Sequence, residues 1–457
     1  MISVIIKNLI VKGRWPILFG LVIALALAVR IPRLLKGHSD ELHTIGRSLN
    51  IIYTGDLNPH FFYHPTGTMY LCVAADILAL ASMSRDVGGN PITGGAAPLD
   101  LIKSEIPNPV LLSVFETPQT IWWELFRYRV RLMFLLLIPA QIGMLAYLGQ
   151  RLHLCPPALA ASIFFALSPE SIYDSTYVAV NTSTGTFCLL AVAWTAYFVC
   201  RPSAVTLRAW LFRLSVLGFI GGLAVACKYN AGTVLILAMV YGMLTLSDLT
   251  TGGEFGLEKM LAGVAVILIG MAAGFTLLCP YWFKELHVFI HDVLNQVWYF
   301  KVGHKDYNTF RPGLPMAYII LRCIGDQYAW SGMLLTVVAI VYCLRSGGLS
   351  QPHDQRVIRV WLPTLAACVG YLLLMSNQAV FFARNLSILW PSLFWCSAVA
   401  WWMAARVFAE RQGLSNPKQF CRWVLWIITL LCLLEAHVLH VFLIPGREWW
   451  RASIWSF

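Results

Sequence analysis

Charge is scarce in this chain. Only 12% of its 457 residues are Asp, Glu, Lys or Arg, about half of the roughly 25% usual for a soluble domain. That shortage excludes a water-soluble enzyme and a disordered chain. Paired cysteines are missing as well. Twelve cysteines are present, but none has CxxC or metal-ligand spacing, and most lie in or beside apolar runs. A secreted disulfide scaffold is excluded, and packing is their expected use. The sequence holds no P-loop, no GxSxG and no HExxH, so a Gly-rich phosphate cradle, a hydrolase serine elbow and a zincin site are all absent. No internal repeat or low-complexity tract is visible.

Apolar length is what the chain has in abundance. Hydrophobic residues make up 58% of it, and the mean hydropathy is +0.69. Runs of roughly 20 apolar residues recur, each enough to cross a ~30 Å hydrocarbon layer. The pattern predicts an all-α polytopic membrane protein with about eleven transmembrane helices. They are expected at 15–31, 130–149, 157–174, 182–199, 210–227, 229–247, 260–280, 328–344, 360–376, 386–405 and 423–443. The first follows Lys7, Lys12 and Arg14 as a signal peptide would. It runs on into Arg30, Pro32 and Arg33 without a small-residue cleavage site, so it is expected to remain as an anchor.

Residues 66–84 are apolar enough for a further span, and charge placement arbitrates. With a cytoplasmic N-terminus, the eleven-span arrangement gathers cations at the cytoplasmic ends, from Lys7, Lys12 and Arg14 through Arg151, Arg201, Arg208, Arg213 and Lys259 to Arg406, Arg411, Lys418 and Arg422. The short outward turns hold only Lys228 and Arg384. A span at 66–84 would invert that bias, against the positive-inside rule, and would place Asp76 in lipid at high cost. The segment is therefore expected to be an interfacial or re-entrant helix. The whole of 1–457 then forms one membrane domain with two long extracytoplasmic segments, 32–127 and 281–327. The short inner loops favour a bacterial inner membrane. The net charge of +11 reflects this topology and not a nucleic-acid partner.

Candidate chemistry falls in six places on the outer face. Asp40 and Glu41, with His43, follow the first span. They are either a solvated boundary pair or a general base held above the bilayer, able to take a proton from an attacking hydroxyl. The stretch from Gly55 to Thr66, with Tyr63 and His64, suits an interfacial aromatic belt or a sugar platform. Lys228-Tyr229-Asn230 sits in a tight turn, where the ammonium either snorkels or meets a phosphate. Arg384-Asn385 opens a late span, and its guanidinium can clamp a phosphate. Arg127, Arg129 and Arg131 crowd an outer helix start where cations are disfavoured, which suggests an anionic ligand. Glu170 and Asp174, in the turn that runs to Asn181, are a second acidic group or a solvated loop. Taken together, these groups suit a reaction that expels an anionic leaving group tethered to lipid: an acid activates the acceptor, and cations stabilise the departing phosphate. His38, His43, His60 and His64 either pack and hydrogen-bond or bind a divalent ion.

Several motifs occur in a telling order. They are Asp40-Glu41, "GDLNPHFFYHPTG", an Arg at the head of the second span, Ser168-Pro169, "KYN", Pro280-Tyr281 and "ARNLSILWP". Over roughly 15–405 the chain resembles the membrane-embedded C-type glycosyltransferases. The nearest branch is glycosyltransferase family 39, with protein O-mannosyltransferases and lipid A aminoarabinose transferases. The resemblance implies a polyprenyl-phosphate sugar donor, an inverting reaction without a required cofactor, and extracytoplasmic juxtamembrane helices, of which 66–84 is one. It implies Asp40 as general base and Glu41 as a positioner of Asp40 or of the acceptor. Lys228, Arg384 and Arg131 would hold the donor phosphate, and His43, Tyr63, His64, Asp174, Asn181 and Tyr229 would line the substrate site. The chain departs from the pattern at His43, where relatives often carry Arg, at Asn181, often a second Asp, and around His64, where Lys or a second Pro is common. These departures leave the acceptor open among lipid, glycan and protein.

Two other classes compete. A secondary transporter or flippase would also show many helices and few ionisable residues, but near the bilayer midplane and in repeated halves. Here Glu435, near His437 and His440, is the main mid-span acid. An O-antigen ligase or polymerase would carry its large outer loop later, without an acid pair after the first span. The segment 85–126, rich in Gly and Pro, is either a linker or an acceptor-binding or gating element.

Overall fold

The computed structural model describes residues 2–35, 39–87, 97–109, 120–178, 180–201, 206–246, 256–303, 309–345 and 352–443. Every regular element among them is helical. In chain order they are α1 (Ile2–Arg30), α2 (Ser39–Thr54), α3 (Gly67–Val87), α4 (Pro98–Glu105), α5 (Ile121–Leu135), α6 (Leu137–Arg151), α7 (Cys155–Leu167), α8 (Pro169–Asp174) and α9 (Val180–Val199). There follow α10 (Leu207–Cys227), α11 (Val234–Leu246), α12 (Leu257–Leu278), α13 (Leu286–Val302), α14 (Leu314–Tyr328), α15 (Trp330–Arg345), α16 (Pro352–Ser376), α17 (Trp390–Arg411) and α18 (Pro417–Leu443). Short 3-10 turns, Tyr229–Thr233 and Ala383–Ile388, join α10 to α11 and α16 to α17. Among the described residues, ten stretches are long and apolar enough to cross a membrane, or eleven with the bent pair α14 and α15 taken as one. The chain is an integral membrane protein.

Local sequence explains two departures from the expected spans. Pro169 has no N–H to donate and pushes the residue before it out of helical geometry; Ser168 has φ −59° and ψ 125°. The span expected at 157–174 is therefore two helices, a 13-residue α7 and the short α8. The span expected at 328–344 is α15, but α14 precedes it at a bend of 108°. Ala329 makes that bend at φ +83°, and Gly325 leaves room for the Trp330 ring, which a Cβ would strike. Part of the expected outer segment 281–327 is thus a helix that meets α15 at a sharp bend.

Packing follows from small residues. Gly218 and Gly222 on α10 face Gly270 and Gly274 on α12. A Cβ on any of the four would strike a facing carbonyl oxygen, of Ile267, Met271, Ser215 or Phe219. Backbone approach of this kind holds helices together where lipid supplies no hydrophobic drive between them. One end of the bundle collects cations. There Arg151 and Arg201 stack on Tyr197, Arg411 stacks on Tyr342, and Arg406 pairs with Asp354 at 2.5 Å. At the other end the turns α8–α9, α10–α11 and α16–α17 meet.

α5 and α6 form one 31-residue stretch, about 46 Å long at 1.5 Å per residue and longer than a ~30 Å hydrocarbon layer. Its first turns, expected in the outer loop, pack against α2, α3 and α4. Ile45, Leu49, Cys72, Ala79, Ile102, Trp123 and Phe126 belong to this second apolar cluster, and Arg129 donates to Ser82 Oγ at 2.6 Å. α3 meets the length and hydropathy of a span. Its Asp76 is fully buried and accepts from Ser48 of α2 at 2.5 Å, so the carboxyl is satisfied within the layer. Of the 85–126 segment, residues 88–96 and 110–119 lie outside the described residues.

Candidate active site

Asp40 and Glu41 stand in the first turn of α2, where the helix dipole favours carboxylates. The side chain of Asp40 lies outside the described residues. Glu41 is fully buried, and Arg131 of α5 closes on it with a two-pronged ion pair. Nε reaches Oε2 at 2.9 Å, and Nη2 makes a very short contact with Oε1. Nη1 of Arg131 donates to the Leu34 carbonyl at 2.5 Å, and the Val178 N–H adds a bond to Glu41 at 3.4 Å. This corrects the expectation that Arg131 holds a phosphate. Its guanidinium is 1% exposed and is spent on a buried acid, which would be costly without it. The pair instead ties the start of α2, and so the backbone of Asp40, to α5.

Arg30 was missed by sequence reasoning. It ends α1 with no exposure and donates to Ser175 Oγ at 2.7 Å, the Ala166 carbonyl at 2.7 Å, the Phe165 carbonyl at 3.1 Å and Ser171 Oγ at 3.0 Å. The cation satisfies carbonyls orphaned at the end of α7 and favours that helix's negative end. It fastens α1 to the α7–α8 break. An arginine at the end of an apolar run was the available signal.

The polar centre lies where three turns meet. Lys228 Nζ donates to Asn181 Oδ1 of α9 and to Asn385 Oδ1 of the α16–α17 turn, both at 2.7 Å. Asn181 Nδ2 in turn donates to the Arg384 carbonyl at 2.9 Å. Asn230 donates to Tyr371 OH at 3.0 Å, and Tyr371 donates to the Asn385 carbonyl at 2.8 Å. Asp174 is 1% exposed; it accepts from Tyr177 OH at 2.8 Å and, very closely, from Ser387 Oγ. Burial pushes its carboxyl well above the usual carboxylate range, and the Glu170 charge adds to the rise. The Tyr177 hydrogen bond and the charges of Arg384 and Lys228 oppose it. The Arg384 guanidinium sits 4.6 Å from the Phe382 ring centre.

The first-loop stretch 55–66 lies on the same end. Tyr229 OH donates to the Phe62 carbonyl at 2.7 Å, and Phe62 N donates to Asp292 of α13 at 2.9 Å. Asn58 Nδ2 donates to Glu285 at 2.6 Å, and the His60 ring lies 2.6 Å from Glu285 and 3.0 Å from Asp56. Thr66 Oγ1 donates to the Leu278 carbonyl at 2.8 Å. The two long segments expected on the outer side are thereby laced together. Tyr63 OH accepts from Asn295 at 3.2 Å. Phe61 packs against Tyr63 and His64 with tilted rings, at centroid distances of 5.6 and 6.0 Å, and Arg47 lies over it at 4.4 Å.

The fold has structural counterparts. The crystal structure of ArnT from Cupriavidus metallidurans bound to undecaprenyl phosphate superposes with a TM-score of 0.54 at 12% identity, over 92% of this chain and 76% of that one. The Archaeoglobus fulgidus oligosaccharyltransferase in complex with Zn and sulfate gives 0.50 at 11% identity, over 92% of this chain and 52% of that one. The chain thus spans about half the length of the archaeal protein. It has the C-type glycosyltransferase fold. No family model matches its sequence, and no curated protein does.

Of the residues expected at the site, Asp174, Asn181, Lys228 and Arg384 come together, and Tyr229 joins them to the first loop. Tyr63 is half-buried in the aromatic patch; His43 and His64 are exposed in the first-loop layer. Among the four histidines considered for a divalent ion, His60 faces Asp56 and Glu285, and His38 lies outside the described residues. No group of three or more His, Cys, Asp or Glu among the described residues is arranged to hold a metal. Glu435 accepts from Trp330 N at 2.9 Å and from Ser331 N and Oγ. It caps the start of α15 at the bend.

Proposed function

We propose that the chain is an inverting glycosyltransferase. It moves a sugar from a polyprenyl-phosphate donor to an acceptor hydroxyl at the extracytoplasmic face. The observation that carries this reading is Lys228 in its cradle of Asn181 and Asn385, beside Arg384, at one end of an apolar bundle with the C-type fold. Asp40 takes the proton of the acceptor hydroxyl, whose oxygen then attacks the anomeric carbon. The bond from that carbon to the phosphate oxygen breaks, and its electron pair leaves with the phosphate. Lys228 and Arg384 stabilise the charge that develops there, as preorganised cations do. A neighbouring Asp174 that holds its proton to higher pH repels the phosphate less. Glu41, fixed by Arg131, positions Asp40. His43, Tyr63 and His64, with Arg47, form the surface that meets sugar or acceptor.

The capping role of Glu435 counts against the transporter or flippase alternative, because the main mid-span acid is engaged in holding α15. The test is sugar transfer from a polyprenyl-phosphate donor by the purified full-length chain. Asp40→Asn should abolish transfer while folding and donor binding persist. Normal transfer by that variant removes Asp40 from the mechanism. Movement of an anionic or lipid-linked solute across vesicles, with no transfer, favours the alternative.

A further inference from the structure

We propose that Asn385 is a phosphate-binding residue, whose side-chain NH2 donates to an oxygen of the lipid-linked phosphate beside Lys228. This rests on the transferase reading above and deepens it. The side chain is 3% exposed, and its orientation is determined by its partner. Oδ1 accepts from the Lys228 ammonium at 2.7 Å; a flipped amide would set NH2 against NH3+, donor against donor. The backbone of Asn385 is committed as well: its N–H donates to the Phe382 carbonyl at 2.8 Å, and its carbonyl accepts from Tyr371 OH at 2.8 Å. What remains is Nδ2, which is buried and finds no hydrogen-bond acceptor among the described residues.

The amide on the other side of the ammonium makes the contrast. Asn181 also offers its oxygen to Lys228 at 2.7 Å, but its Nδ2 is spent on the Arg384 carbonyl at 2.9 Å. Two amides flank one cation, and only Asn385 keeps a donor without an acceptor. A buried donor left so is unfavourable by itself, and such groups call for a functional account. Because Oδ1 and Nδ2 share one carbon, an oxyanion that meets the Lys228 ammonium lies beside this NH2. A phosphate offers several oxygens, so it can take a charged bond from Lys228 and a neutral one from Asn385 together. That pairing favours the bound phosphate and adds direction that a lone ammonium does not supply.

The test uses the full-length chain in lipid nanodiscs, titrated with a long-chain polyprenyl phosphate and with the matching polyprenol. Asn385→Asp keeps the oxygen that Lys228 needs and replaces the donor with a second acceptor. Asn385→Ala, the second variant should the first fail to fold, removes the donor without adding charge. Phosphate-lipid affinity should fall roughly ten- to a hundredfold in the Asp variant and about tenfold in the Ala variant, with polyprenol binding unchanged. Folded variants that bind the phosphate lipid within about twofold of wild type overturn the assignment and leave the transferase reading standing. A wild-type chain that does not prefer the phosphate lipid over the polyprenol overturns both.

Discussion

Replacing Arg131 by Met would leave the Glu41 carboxylate fully buried with one N–H at 3.4 Å for company. Two charge-assisted bonds are lost, each of about 1.5–3 kcal/mol. That agrees with the roughly 3–5 kcal/mol typical of removing one partner from a buried pair. Glu41→Leu alone should cost a similar amount, because it strands the guanidinium. The double variant should recover most of the loss, since an apolar pair of similar volume is often neutral or better. A coupling energy of at least about 2 kcal/mol is expected from the cycle. Reversible unfolding in mixed micelles measures stability, and sugar transfer measures whether Asp40 has moved with the start of α2. Single losses under about 1 kcal/mol, or variants additive within about 0.5 kcal/mol, would show that the pair is not a coupled unit and would refute its positioning role.

Lys228→Met should weaken donor binding at least about tenfold, and Lys228→Arg should restore part of it; equal affinity in all three would remove Lys228 from the site. The loop 55–66 should loosen from α13 at high pH. The His60 pKa is raised above 6.5, first by the Asp56 hydrogen bond and then, against burial, by Glu285, so its stabilisation is complete below 6.5 and is lost as pH rises through the raised folded value. Asp56 is lowered from 3.8, first by the Asn58 N–H and then by His60; its contribution holds above 3.8 and fades as pH falls through the lowered value. Hydrogen-exchange protection of 55–66 should therefore be higher at pH 6 than at pH 8.5, and a flat profile speaks against the latch. Glu435→Ala should lower stability by about 1–2 kcal/mol, as loss of a helix cap does, without changing donor affinity; a selective loss of affinity would place Glu435 in the mechanism instead. Gly222→Leu should prevent α10 and α12 from closing, and a variant with an unchanged melting profile would contradict that packing.

Much of the architecture was legible because lipid leaves few choices. A run of apolar residues long enough to cross must be helical, and cation placement orders the ends. Lys228 and Arg384 stood out because cations were rare in the outward turns. Their neighbours were harder to see. Asn181 and Asn385 are ordinary amides in a sequence, far apart along it, and only the meeting of three turns shows that both point their oxygens at one ammonium.

The chain's own pattern determined the helices, the break at Pro169 and the candidate charges, since these depend on local propensity and on the transfer of residues into lipid. Tertiary structure alone decided which charges close on a buried acid and which are held by amides. Arg131 and Lys228 are both cations among apolar helices. One is closed on Glu41, and the other is held by two uncharged amides. The physical reason is that an ion pair depends on distance and burial, and neither is written in the spacing of residues along the chain.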